Sequence, residues 1–145
     1  GGVPFVGDIL KFLFGPVLVI AGVVSLGTGV YELGENLTPF ATPISNMSLK
    51  TDGIFQYVRH PLYAGLLSIA MGGSILSDSA SRIILTVVLF FVLTMKAEFE
   101  EVEIEKKFPS YKGYKEQVTG RFVPSQLTDA LTSLMVKFGE PKDNQ

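Results

Sequence analysis

Long stretches without a charged residue mark the first two thirds of the chain. Residues 12–31 are twenty consecutive uncharged positions. At about 1.5 Å per residue in an α-helix, they extend roughly 30 Å, which is the thickness of the hydrocarbon core of a bilayer. Because this stretch has no polar face, it predicts a membrane-spanning helix rather than the core helix of a soluble protein.

Two shorter uncharged stretches, at 61–77 and 83–95, are separated by a Ser-Asp-Ser-Ala-Ser turn that offers N-cap residues to the second helix. We therefore predict a helical hairpin with arms at 61–77 and 83–99. The second arm includes Lys96, whose stem is long enough to reach the interface. Together with the first helix, this predicts an all-α integral membrane bundle of about three transmembrane helices, followed by an interfacial C-terminal segment.

The last third of the chain is more polar. Five glutamates fall within 98–105, and aromatic residues alternate with charges up to Tyr114. This pattern is typical of a helix that leaves the membrane and continues along its interface, interrupted here by Pro109. We divide the chain into a membrane domain over 1–124 and a polar tail over 125–145, for which we expect a loose terminus.

Composition supports the membrane interpretation. Charged residues make up 18% of the chain, against about 25% in a typical soluble domain, and the mean hydropathy is +0.37. The net charge of −2 argues against a nucleic-acid partner, and the single histidine and absence of cysteine argue against a metal site. Ten of the twelve Lys and Arg residues lie in 32–60 and 96–145, which places both segments on the cytosolic or stromal side.

Small residues recur at every fourth position of the first two predicted helices, a spacing that allows helix backbones to approach closely in lipid. They are Ala21, Ser25 and Gly29 on the first helix and Ala64, Ser68 and Gly72 on the second. Packing within one chain is the favoured interpretation, and a homodimer face is the alternative.

Two groups of polar residues fall at one predicted membrane boundary. Arg59 and His60 lie at the start of the second helix, where free N–H groups favour an anion. Lys96, Glu100 and Glu101 lie at the end of the third helix, and a hairpin returns its two ends to the same depth. Such a pair suits a zwitterion with one carboxylate and one ammonium group. Each group by itself is also typical of a helix cap or a solvated helix face.

The motif LKTDGIFQYVRHPLYAG at 49–65, the Glu pair at 100–101, the spaced tyrosines and RFVP at 121–124 together resemble the isoprenylcysteine carboxyl methyltransferase family. The wider group includes phospholipid N-methyltransferases. The resemblance covers roughly residues 36–124. It implies S-adenosylmethionine as cofactor, held at the cytosolic membrane boundary without a Rossmann domain, and a lipophilic acceptor that enters from the bilayer, either an isoprenylcysteine carboxylate or a lipid amine.

The resemblance also implies site residues by position. The implied cofactor-binding residues are Met47, Ser48, Leu49, Lys50, Phe55, His60, Pro61, Leu62, Tyr63, Glu100 and Glu101. Lys96 stands where the family has an arginine that acts on the acceptor carboxylate; it keeps the charge and loses the bidentate fork. Lys96 and Arg59 are the expected catalytic residues, and Phe55 takes a position often held by tyrosine.

Three functions remain open at this point. The first is a methyltransferase in an endoplasmic reticulum or plastid membrane. The second is a non-catalytic structural subunit of a larger membrane complex, such as a plastid photosynthetic assembly. The third is an NADPH-dependent enzyme like the sterol reductases, which share the Arg-His-Pro-x-Tyr-x-Gly element but usually continue with Glu where Leu66 follows Gly65 here.

Overall fold

The structure, a computed structural model, describes residues 4–34, 49 and 51–139, with side chains from residue 7 onward. These residues form five α-helices and one short 3-10 helix, with no strand among them. The elements are α1 (Pro4–Leu33), the 3-10 helix (Gly53–Gln56), α2 (Pro61–Leu76), α3 (Ala80–Lys107), α4 (Tyr111–Gln117) and α5 (Ser125–Gly139). The predicted all-α class is confirmed.

The backbones of α1 and α2 touch at two pairs of glycines. A Cβ atom on Gly65 would lie 2.7 Å from the carbonyl oxygen of Gly22, and one on Gly72 would lie 2.6 Å from that of Gly15. Since real Cβ atoms do not approach an oxygen so closely, any side chain at these positions would force the helices apart. The absence of a Cβ atom on these glycines therefore sets the distance between α1 and α2.

Two serines add hydrogen bonds to this contact. Ser25 donates to the carbonyl oxygen of Pro61 (2.8 Å), and Ser68 donates to that of Leu18 (2.6 Å). The predicted packing within one chain is thus confirmed, whereas Ala21, which was expected on this face, is exposed. The contact follows the glycines because they permit the closest approach.

The hairpin of α2 and α3 is confirmed, and its second arm is longer than predicted. The hydroxyl of Ser79 caps α3 by accepting from the backbone N–H of Arg82 (3.2 Å). Ser74 and Thr86 join the two arms through a buried hydrogen bond of 3.2 Å. The helix α3 continues to Lys107 and ends before Pro109, which cannot continue it.

Among the described residues, two helices are long and apolar enough to cross a membrane: α1 from Gly7 to Leu33, and α3, which contains a sufficiently long apolar window. Most of each is exposed, as expected of helices that face lipid. At 16 residues, α2 extends only about 24 Å. It is apolar but shorter than a typical crossing, so the predicted count of three spans is not confirmed.

The tail is defined in the structure as all described residues that follow α3, which are residues 108–139. This segment differs from expectation in two ways. Tyr111 and Tyr114, expected along an interface, are buried in a small core with Phe55 and Val118. Burial raises the pKa of both tyrosine phenols, because the phenolate would lose its solvation. The loose terminus expected over 125–145 is instead the helix α5 up to Gly139, and residues 140–145 lie outside the described part of the chain.

Candidate functional site

The segment that leads into α2 is attached to the end of α1. The Glu32 carboxylate accepts a hydrogen bond from the backbone N–H of Ile54 (2.7 Å). At the preceding Gly53, φ is +61°, and a Cβ atom would lie 2.2 Å from the Glu32 carboxylate oxygens. Glycine suits this position because it adopts a positive φ without strain, and a Cβ atom would displace the Glu32 carboxylate.

A segment of the tail lies alongside the start of α2. The backbone N–H of Arg59 donates to the carbonyl oxygen of Gly120, and that of His60 donates to the carbonyl oxygen of Arg121, both at 3.0 Å. Earlier in the tail, the hydroxyl of Tyr114 donates to the carbonyl oxygen of Phe55 (2.6 Å). The tail therefore returns to the membrane boundary predicted for the site.

Glu101 lies at the centre of a buried cluster. Its Oε1 is 2.9 Å from Nε2 of His60 and 3.2 Å from Nη1 of Arg59. Its Oε2 is 3.4 Å from Nη2 of Arg121. Because an ionised carboxylate only accepts, the His60 ring carries a hydrogen on Nε2. We call these four residues the Glu101 cluster.

The Glu101 cluster holds two guanidinium groups around one buried carboxylate. The side chain of Arg59 is only 10% exposed and that of Glu101 only 6%. Within the described residues, the buried Nε atoms of Arg59 and Arg121 have no hydrogen-bond partner. Arg121 also reaches Glu98 (3.5 Å), but that carboxylate is mostly exposed. Both oxygens of Glu101 are therefore already engaged within the protein.

Glu100 has a different environment from its neighbour. It accepts a hydrogen bond from the Tyr63 hydroxyl, and Nζ of Lys96 lies 3.7 Å from the same carboxylate. The Lys96 ammonium also lies 5.1 Å from the centre of the Tyr63 ring, a cation–π distance. The side chain of Lys96 is 37% exposed and that of Glu100 is 16% exposed. We call Tyr63, Lys96 and Glu100 the outer group.

Aromatic contacts join the outer group to the tail. The rings of His60 and Tyr63 stack in parallel with centres 5.5 Å apart. Phe122 packs edge-on against His60, at 6.2 Å, and also against Phe90 of α3, at 5.9 Å. The histidine is thereby enclosed between α2 and the tail and is 8% exposed.

The structure thus brings six of the predicted site residues to one place: Arg59, His60, Tyr63, Lys96, Glu100 and Glu101. The others divide into two sets. Leu49, Phe55, Pro61 and Leu62 pack inside the protein, the first two against the tyrosine core and the last two beside Gly29 of α1. Met47, Ser48 and Lys50 lie outside the described residues.

Three residues of the site region were not identified from the sequence: Glu32, Arg121 and Phe122. Arg121 and Phe122 belong to the RFVP motif at 121–124, which was part of the family resemblance and was the available signal. Glu32 had none, since a single acidic residue after an apolar helix is ordinary. Among the described residues, no group of His, Asp or Glu side chains could hold a metal ion.

One comparison with known proteins found a match. The family model described as phospholipid methyltransferase matches residues 10–110. The match includes most of α1 and all of α2 and α3, and therefore the whole site except Arg121 and Phe122. The comparisons with curated proteins and with solved structures found no match.

Proposed function

The chain belongs to the phospholipid methyltransferase family, and from this premise we propose that it transfers a methyl group from S-adenosylmethionine to a lipid-borne acceptor at the membrane boundary. The observation that carries the proposal is the contrast between the two adjacent glutamates. Glu101 is engaged on both oxygens, whereas Glu100 is part of a half-open group with a cation and an aromatic ring.

The chemistry of the outer group fits the amino-acid end of the cofactor. The Glu100 carboxylate can accept from an ammonium group, and the Lys96 ammonium can pair with a carboxylate. Tyr63 donates a hydrogen bond to the Glu100 carboxylate and so holds it in place. When bound, S-adenosylmethionine supplies an electrophilic methyl group attached to a sulfonium.

The work of the protein is then to position its ligands and exclude water. Glu100 binds the cofactor ammonium, as expected from the sequence. The role expected for Lys96 was to orient the acceptor carboxylate, and its position beside Glu100 also suits the carboxylate of the cofactor. Arg59 acts through Glu101 rather than on a ligand, because its guanidinium is buried against that carboxylate. Phe122 of the tail packs against His60 and closes that side of the site.

The proposal also concerns the chemical class of the methyl acceptor. The family description favours a phospholipid amine, and an isoprenylcysteine carboxylate is the other class. The site lies at the ends of two apolar helices, which suits an acceptor whose reacting group is held at headgroup depth. The distribution of Lys and Arg supports a cytosolic or stromal side, in an endoplasmic reticulum or plastid membrane.

The first test is cofactor binding. Calorimetry with S-adenosylmethionine on protein purified in mild detergent should show saturable binding, and Glu100→Gln should weaken it roughly tenfold to a hundredfold, since a hydrogen bond to a charged group contributes about 1.5–3 kcal/mol. The matched control is Glu103→Gln, on the same helix, whose carboxylate pairs with Lys106 instead. Equal binding by the wild type and Glu100→Gln would contradict the role of Glu100.

The second test identifies the acceptor. Two acceptors are tested in separate reactions with isotopically labelled cofactor: phosphatidylethanolamine in bilayer discs, and a farnesylcysteine substrate. The products are identified by mass spectrometry. Labelled phospholipid supports a lipid amine acceptor, and a labelled ester supports the carboxylate. Cofactor binding without either product would contradict both classes.

The same material tests the alternatives. If the folded wild type binds no S-adenosylmethionine and purifies in fixed stoichiometry with larger partners, the structural subunit is favoured. Saturable binding of NADPH in place of S-adenosylmethionine would favour the reductase-like enzyme. Either result would overturn the methyltransferase proposal.

A further inference from the structure

The helix α5 carries an apolar stripe that no other described part of the chain covers. It has no buried residue. Leu127, Leu131, Leu134 and Phe138 lie within about 60° of one another at roughly 100° per residue, and each is at least 50% exposed. Ala130 and Met135 flank them and widen the stripe to about 140°.

Such a helix needs a surface. A helix of 15 residues is only marginally stable in water on its own, since helices shorter than about 12–15 residues gain little beyond the cost of nucleation. In proteins, an amphipathic face is stabilised by what it packs against. We therefore expect the stripe of α5 to pack against a surface outside the described chain.

The position of α5 indicates which occupant. Phe122 packs on Phe90, which is 43% exposed on the apolar surface of α3. Ser125, the first residue of α5, follows three residues later, and three residues extend at most roughly 10 Å. The helix thus begins beside a surface that faces lipid. We propose that α5 lies flat on the membrane, with its stripe inserted at the boundary between headgroups and acyl chains.

The charges of α5 indicate how it binds. Asp129 and Lys137 are its only charged residues, and they cancel. The rest of the polar face is mainly Ser, Thr and Gln. Attraction to anionic lipid therefore contributes little, and binding comes from the apolar area inserted, so it responds to how loosely the lipids pack rather than to their charge.

A second copy of the chain fits the stripe less well. The 4-3-4 spacing of Leu127, Leu131, Leu134 and Phe138 is compatible with a coiled-coil seam, but it extends over fewer than the three or four heptads that mark one. The flanking positions 128, 130, 135 and 137 hold Thr, Ala, Met and Lys. They offer no complementary charges to specify a partner helix.

Because the chain has no cysteine, one label can be placed at a time. The test uses Leu134→Cys and Val136→Cys in the otherwise unchanged chain, each with a nitroxide, in phosphatidylcholine nanodiscs. Both positions are apolar and half exposed, but they lie about 160° apart around the helix. The Leu134 label should be more accessible to oxygen than to a water-soluble nickel complex, and the Val136 label should show the reverse, a several-fold difference in the accessibility ratio.

Other results would overturn the proposal. Equal access of the nickel complex to both labels would mean a helix in water. A Leu134 label shielded from both reagents would mean packing on protein, and spin–spin broadening would identify that protein as a second copy. Loss of the Leu134 protection in high salt, or its dependence on added anionic lipid, would contradict binding through apolar insertion. None of these readouts depends on methyl transfer.

Discussion

Both ends of the α2–α3 hairpin are held by ion pairs, but the two ends differ in burial. At the turn, Lys11 of α1 pairs with Asp78, whose side chain is 74% exposed. At the other end, three members of the Glu101 cluster, Arg59, His60 and Glu101, are at most 10% exposed. A charge pair in water contributes little, because solvent screens it and its side chains lose freedom. A buried carboxylate must be fully paired, because an unpaired charge there is costly. The two ends should therefore respond very differently to removal of one charge.

The largest effect is expected for Glu101→Ala. It leaves Arg59 buried without a counter-charge and Arg121 with only the mostly exposed Glu98, which should destabilise the protein by about 3–5 kcal/mol. Unfolding in detergent, followed by circular dichroism, measures this loss. Glu103→Ala is the control on the same helix, since Glu103 pairs at the surface with Lys106, whose side chain is 70% exposed. Equal unfolding of the two variants would contradict a structural role for Glu101.

The second prediction concerns a substitution that disturbs the end of the hairpin at the candidate site without removing a charge. Gly53→Ala places a Cβ atom against the Glu32 carboxylate and requires a left-handed backbone conformation, which costs about 1–2 kcal/mol in itself. The segment before α2 should shift, and cofactor affinity should fall together with stability. Gly27→Ala is the control, since nothing lies within 4 Å of a Cβ there. Unchanged cofactor affinity in Gly53→Ala would show that the contact between Glu32 and the segment before α2 does not position the site.

An intermediate effect is expected for Arg121→Gln. Glu101 keeps His60 and Arg59 but loses its third partner, so stability should fall by about 1–3 kcal/mol. In limited proteolysis, the residues that follow Gly120 should then be cleaved sooner than in the wild type. Lys112→Gln, at an exposed position of α4, is the control. If both variants are cut at the same rate, the tail is held by its backbone hydrogen bonds alone.

The smallest effect is expected at the turn. Asp78 has φ +49°, a conformation that asparagine also tolerates, so Asp78→Asn removes the charge without adding strain. Stability should change by less than about 1 kcal/mol, and salt should have a similar effect on the wild type. A loss as large as that of Glu101→Ala would show that burial is not what distinguishes the two ends.

The sequence by itself determined the helices and their apolar stretches. Uncharged stretches predicted the positions of α1, α2 and α3, and the turn chemistry predicted an N-cap for α3, which Ser79 supplies. The hairpin predicted that Arg59, His60, Lys96 and the two glutamates would lie together. These features depend on local pattern and on the return of a hairpin to its starting depth. They need no knowledge of which face packs on which.

Only the tertiary structure decided how the site is divided. Adjacent helical residues point about 100° apart, so Glu100 and Glu101 could not both face inward, and the packing of α2 and the tail selects Glu101. The same long-range contacts bring Arg121 back to the cluster and bury Phe55 with Tyr111 and Tyr114. They also leave α5 without a partner in the described chain. Such contacts join residues far apart in sequence, where periodicity carries no information.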